Sequence, residues 1–350
     1  MPPDRVLAAS ILCCALLPVA CCGTSPPAAI RPDPVGLLEQ RALIAREFSG
    51  IDPRTASPVE MRSGDRVSAA WWGFDTANAT ASLQASLDSG ARVVLVPGMG
   101  TPWVTGPLKV RSGTTLVLEE GAEIVSLAGA FRGGDESLLK LQDVKDVTIM
   151  GYGARLAMRK GDYRRKPYEK SEWRHAIELY GCSHVRILGL RAESSGGDGV
   201  YLGSGTQDYD RDILLKDLEL RDHYRQGISV ISAEDLRIEN VEMAGTEGTP
   251  PSAGIDFEPN VPTERLVRCV VAGCIIRGNR GPGISVVLGK LDGTSRDVDI
   301  RFEDTSVSNG LVSFLLWGAW GVRGKVELAR TSLVGIPIIG VGQRVTVVRE

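Results

Sequence analysis

From Trp71 onward the apolar residues alternate with polar ones in short runs, and the runs recur. Segments that open on Gly and an apolar residue are GVYLGSG at Gly199, GISVISA at Gly227, GIDFEPN at Gly254 and GISVVLG at Gly283, at steps of 28, 27 and 29 residues. One unit earlier AIELYGC opens at Ala176, a step of 23. A second kind of alternating run lies beside these, as in HVRILGLRAES (184–194), DILLKDLELRD (212–222), DLRIENVEMAG (235–245) and LVRCVVAGCIIRG (266–278). In these four a small or polar residue interrupts the alternation at one place, Gly189, Asp217, Asn240 and Gly273, which predicts a bend between two short strands. Each unit of about 27 residues thus holds about three short strands with one apolar side. Such a unit cannot bury its core alone and must stack on its neighbours. The expected fold is all-β, a right-handed parallel β-helix. Its inward ladders are Ile177, Val200, Ile228, Ile255, Ile284 and Leu179, Leu202, Val230, Phe257, Val286.

The N-terminal part reads differently. Residues 1–22 hold Arg5, an apolar run from Val6 to Ala20 and then Cys21 and Cys22. The run is too short to span a bilayer comfortably but suits a signal-peptide core. The junction PVACCGTSPP is similar to a bacterial lipoprotein signal, with Cys21 or Cys22 as the lipidated residue. The expectation is export, to the periplasm or cell envelope as a lipoprotein or to the exterior, with the membrane met only through that anchor. Residues 23–70 read as a tether and N-terminal segment, Pro-rich at first and with helical spacing over 35–48. Residues 71–350 form the β-helix domain. Its open first coil needs a cover, and 75–90 supplies a helix with Asp75 as cap and Gly90 as stop.

Composition narrows the chemistry. A net charge of −3 and a pI near 5.8 argue against a nucleic-acid partner. Outside the first segment only Cys182, Cys269 and Cys274 remain, an odd number without metal spacing, so buried thiols are expected. No phosphate-loop, zinc-protease or dinucleotide motif occurs.

The outward positions carry the candidate chemistry. One column reads Glu178, Tyr201, Ser229, Asp256, Ser285; the next reads Tyr180, Gly203, Ile231, Glu258, Val287; the strand mouths read His175, Asp198, Gln226. Neighbouring coils carry Ser or aliphatic residues where Asp256 and Glu258 stand, so the repeat does not require these acids. Two residues apart on one strand face, they lie roughly 6–7 Å apart along the chain. Asp198 and Asp256 are two coils, roughly 10 Å, apart. Either pair could supply one acid to protonate a leaving oxygen and one to activate water. Arg225, His223 and Tyr224 lead into the coil between them. His184 reads as a turn residue. An insertion at 154–175 is basic, with Tyr163, Tyr168 and Trp173, and suits an acidic sugar polymer. A second, at 203–212, holds Asp208, Asp210 and Asp212 and reads as a solvated turn. No Lys is read in the outward first-strand columns.

With these residues in view, ATASLQASLDSGARVVLVPG, GTTLVLEEGAEI, SGGDGVYLG, YRQGISVISAEDLRIENVEM and AGIDFEPN make residues 71–310 resemble the pectate-lyase-like β-helix superfamily, bacterial exported repeat proteins above all. The resemblance implies polysaccharide binding and usually cleavage. It does not fix the reaction, because hydrolases, lyases, epimerases and tail spikes share the scaffold. Polygalacturonase-type hydrolases carry an Asp-Asp pair and a Gly-His-Gly at successive coils. Here Gly197 stands beside Asp198, and Gln226 stands where that His would sit. That mechanism is therefore not carried over. Lyases of the fold use a Lys or Arg base and acid-bound calcium.

The expected function is cleavage of glycosidic bonds in an acidic polysaccharide by a hydrolase that needs no cofactor. Asp198, Asp256, Glu258 and Arg225 are the catalytic candidates. Trp173, His175, Glu178, Tyr201, His223, Tyr224 and Gln226 are the substrate-binding ones. One alternative is a calcium-assisted lyase or uronate epimerase, with Asp198, Asp256 and Glu258 as ligands and Arg225 or Tyr201 as base. Another is a non-catalytic glycan-binding envelope protein.

Overall fold

The computed structural model describes residues 30–55, 64–340 and 342–350. The lipidation candidates Cys21 and Cys22, and the rest of residues 1–22, lie outside the described residues. Among those described, 25 strands join in one continuous sheet, and the paired strands run parallel. The chain winds as a right-handed parallel β-helix.

Both predicted ladders stand in register. Leu139, Ile177, Val200, Ile228, Ile255, Ile284 and Phe314 follow one another coil by coil, and so do Leu141, Leu179, Leu202, Val230, Phe257, Val286 and Leu316. All fourteen are buried. Each contributes about 1.5–3 kcal/mol by leaving water. The bends at Gly189, Asp217, Asn240 and Gly273 all take left-handed backbone, with φ between 52° and 70°. His184 has φ 55° at the mouth of the second strand, so it is a turn residue. Cys182, Cys269 and Cys274 are buried free thiols.

The recurring Gly has a direct cause. A Cβ on Gly199 would stand 2.6 Å from the carbonyl oxygen of Gly227, and one on Gly227 would stand 2.5 Å from that of Gly254. The coils touch backbone to backbone at this edge, which leaves no room for a side chain.

Several boundaries differ from the sequence reading. The sheet starts at Arg66–Ser68, paired in register with Val93–Leu95, before Trp71 and inside the stretch read as tether. The covering helix is shorter, Thr80–Asp88 (α2), after an N-terminal helix Pro34–Glu47 (α1). Asp75 accepts only from the Ala77 N–H (2.8 Å); Asn78 meets both the N–H and hydroxyl of Thr80. The basic insertion begins after Ala157, because 154–157 still pair with 190–193. Asp210 is not in a solvated turn: it opens the strand Asp210–Lys216, fully buried, and accepts from the Cys182 N–H at 2.6 Å.

α1 lies across the bends rather than on a free tether. The buried Gln40 side chain donates to the Tyr152 carbonyl (3.0 Å) and accepts from its N–H (2.8 Å). The Tyr152 ring fills the space that Gly36 of α1 and Gly189 leave open. Its hydroxyl reaches Asp217 at 2.8 Å, two coils on, and Asn240 bonds both Asp217 and the Arg31 carbonyl.

Candidate active site

Ile255 and Phe257 point into the core, and that alternation turns Asp256 outward, between Ser229 below and Ser285 above. Outward is not exposed here: Asp256 is 1% accessible. Its Oδ2 accepts from Gln226 Nε2 (3.0 Å), while Gln226 Oε1 accepts from the Ala253 N–H (2.8 Å). Gln226 is fully buried and holds Asp256 in place. That corrects its assignment as a substrate contact. Burial first, and then the charge of Glu258, push the Asp256 carboxyl up to about 8.

Asp198 is buried one coil below Gln226, and neither of its carboxylate oxygens has a hydrogen-bond partner. His175 Nδ1 lies 3.2 Å from Asp198 Oδ2 and accepts the Asp198 N–H at 3.0 Å. Arg225 joins the acids. Its Nη2 donates to Glu258 Oε2 (3.0 Å), Nη1 lies 3.8 Å from Asp198 Oδ2, and Nε lies 3.4 Å from Glu172 Oε1. Burial opposes the Arg225 charge, but Asp198, Asp256, Glu258 and Glu172 outweigh it and hold the guanidinium above its ordinary value. Glu258 is the half-exposed member. Glu172 was missed by sequence reasoning because it sits on the insertion, whose path over the coils no periodicity reveals.

The calcium alternative meets a cation already in place. The Arg225 guanidinium pairs with Glu258 and approaches Asp198. Among the described residues no group of three or more His, Cys, Asp or Glu is arranged to hold a metal ion. Asp198, Asp256 and Glu258 therefore do not form a calcium-holding set.

The other substrate-binding assignments divide. Trp173 is 54% exposed beside Glu172, free to meet a ligand. Tyr201 is half-buried; its ring stacks on His175 (4.6 Å, 18°) and lies 5.5 Å from Tyr180. Burial, then Tyr180 and Asp198, push its hydroxyl far above the ordinary value. His175 is buried beneath it, a correction: it touches Tyr201 and Asp198, not the surface. His223 is fully buried too, with Nδ1 2.8 Å from Ser195 Oγ, and burial lowers its pKa to about 4. It contacts no substrate from there. Glu178 is likewise buried and ion-paired with Lys140 Nζ at 3.1 Å. Tyr224 is half-buried under the Arg164 guanidinium, 5.9 Å away, on the insertion side.

Lys140 itself corrects the reading of a column without lysine. Leu139 pairs with Ile177, so Lys140 stands directly below Glu178. Burial opposes its charge, yet Glu178 prevails and raises its pKa. Lys140 and Gln142 also line a groove of about 1000 Å³ at the N-terminal end of this face. Asp256 stands four coils away, roughly 19 Å.

Asp256 and His223 make stability depend on pH with opposite signs. The folded pKa of Asp256 is raised from 3.8 to about 8, so its contribution is complete below pH 3.8 and lost as pH rises through 8. That of His223 is lowered from 6.5 to about 4, so its contribution is complete above pH 6.5 and lost as pH falls through 4. Between pH 6.5 and 8 only Asp256 acts of the two. The melting temperature of Asp256→Asn, measured against the wild type, should therefore gain steadily over that window, by the equivalent of a few kcal/mol at most. A constant difference between the two would contradict the buried, protonated acid.

Comparison with known proteins agrees with this architecture. The right handed beta helix region matches residues 169–313. Polygalacturonase from Erwinia carotovora ssp. carotovora superposes with a TM-score of 0.52 at 11% identity, over 85% of this chain and 99% of that one. The Family 28 exopolygalacturonase of Yersinia enterocolitica gives 0.51 at 12% identity, over 81% and 64%. No curated protein sequence matches the chain. With coils stacked in this register and the matched region spanning the coils that carry the acids, the chain shares the right-handed parallel β-helix fold of these proteins.

Proposed function

We propose that the chain cleaves glycosidic bonds of a polysaccharide by hydrolysis. The observation that carries this reading is a pair of buried carboxylates, Asp256 and Asp198, two coils apart, with burial and the charge of Glu258 pushing Asp256 up to about 8. Asp256 acts as general acid toward the leaving oxygen. Asp198, neither of whose oxygens accepts a hydrogen bond, takes the proton of the attacking water. Their coils lie roughly 10 Å apart, and inverting enzymes hold their two carboxyl groups roughly 6.5–9.5 Å apart. Arg225, steadied by Glu258 and Glu172, orients the sugar, and Tyr201 and Trp173 offer ring faces. The polygalacturonases that share the fold support a polymer of this class. Export through the N-terminal signal, with an anchor at Cys21 or Cys22, belongs to the same reading.

A lyase or epimerase is supported less, because its bases would be Arg225 or Tyr201, and both hold their protons more tightly than usual. The products decide. Incubation with uronate, sulfated and neutral polysaccharides should yield reducing ends without ultraviolet-absorbing unsaturated sugars, and should survive a calcium chelator. Unsaturated product would replace hydrolysis by elimination. Retention on a polysaccharide gel with neither product would leave a binding protein.

A further inference from the structure

The insertion after Ala157 is built as a firm cleft. Arg174, fully buried, donates from Nε to the Phe131 carbonyl (2.8 Å) and from Nη2 to the Glu169 carbonyl (2.8 Å). Its guanidinium covers the Tyr163 ring at 5.4 Å. Tyr163 is buried, donates to Ser126 Oγ (3.0 Å) and meets Tyr168 edge-on at 5.2 Å. The Tyr168 hydroxyl accepts from the Gly129 N–H at 2.9 Å. The insertion is thus tied to the solenoid near its start, middle and end.

What these ties hold open is a cleft of about 430 Å³ walled by Lys160, Arg164, Arg165, Lys166 and Lys170, with no Asp or Glu in its lining. Lys160 is paired with Asp222 (2.8 Å), and Arg165 with Asp162 (3.4 Å). Arg164 lies over Tyr224, and neither it nor Lys166 nor Lys170 has a carboxylate within ion-pair distance among the described residues. Like charges gathered on a pinned loop repel one another, and an anion placed among them relieves that repulsion and gains charge-assisted hydrogen bonds.

The cleft is also next to the acids. Gly196 and Tyr224 line it. Gly196 is two residues from Asp198, at most about 7 Å along the chain, and Tyr224 adjoins Arg225. A polymer held at Asp198 and Asp256 presents its neighbouring substituent here, at the edge of the strand face rather than along it.

We propose that this cleft is a separate anion subsite, which takes a sulfate ester or a carboxylate borne by the polymer beside the bond to be cut. The assignment rests on the polysaccharide-cleaving reading for its ligand, but its binding does not depend on the chemistry at Asp256. The test is migration in native gels containing chondroitin sulfate, chemically desulfated chondroitin, polygalacturonate or dextran. The wild type should be retarded by at least one anionic polymer, less so with added salt, and not by dextran. Joint Arg164→Ala, Lys166→Ala and Lys170→Ala replacement, at three exposed positions, should weaken retardation at least about tenfold. Lys166→Glu alone should weaken it in the same direction, and both variants should melt with the wild type. Retardation by chondroitin sulfate but not its desulfated form identifies a sulfate; retardation by the desulfated form or polygalacturonate identifies a carboxylate. Asp256→Asn should be retarded like the wild type. Retardation in this pattern without turnover would sink the hydrolase and leave the subsite standing. Equal retardation of the triple variant, or none of the wild type by any anionic polymer, would overturn the subsite.

Discussion

Asp256→Asn should lower kcat by about 10²–10⁴-fold, the usual share of a general acid, and leave polymer binding intact. The amide has nearly the shape of the acid, and its oxygen can still accept the hydrogen bond from Gln226. What it lacks is the proton. The same cause sets the pH profile of the wild type. Asp256 must be protonated to act, and burial together with Glu258 keeps it so up to about 8. The rate should fall as pH rises through about 8. The variant therefore separates two properties that most site substitutions change together, losing turnover while gaining stability at neutral and alkaline pH. Undiminished kcat on a proven substrate would remove Asp256 from the chemistry.

Phe257→Ala should cost about 3–5 kcal/mol of stability, read as a lower melting temperature or denaturant midpoint. Phe257 is completely buried, lies in register between Val230 and Val286, and meets Phe302 edge-on at 6.0 Å. Neighbouring coils cannot close inward on the space, because their backbones are fixed by the parallel hydrogen bonds on either side. Phe257→Leu should cost less than about 1.5 kcal/mol. Phe257 also separates Asp256 from Glu258 on the chain, so the alanine variant should lose activity at temperatures where it is still folded. A loss under about 1 kcal/mol would mean that this coil is not the tightly packed one described.

The ladders were legible because alternation is a property of the chain alone. Ile255 and Phe257 announce an inward face wherever the strand is placed, and Gly189, Asp217, Asn240 and Gly273 announce the bends between strands. Burial of outward residues was not legible. Glu178, His175 and Asp256 face away from the core, yet Lys140, Tyr201 and Gln226 lie against them, and these come from other coils. Lys140 escaped notice for a related reason. The insertion places it 38 residues from Glu178, outside the rhythm of the other steps. The first rung at Arg66–Ser68 is three residues long, too short to show a period.

The contact between α1 and Tyr152 has a consequence for how the molecule comes apart. In a stack of coils each unit feels only the one above and the one below, and such arrays can fray coil by coil. Tyr152 breaks that rule: it reaches past one coil to Asp217, and Asp217, Asn240 and Arg31 carry the link onward. The helix is thus a brace over coils that do not otherwise meet. Coils under the brace, Asp198's among them, should open together as one cooperative block, whereas those beyond Asn240 remain free to unwind singly from the far end.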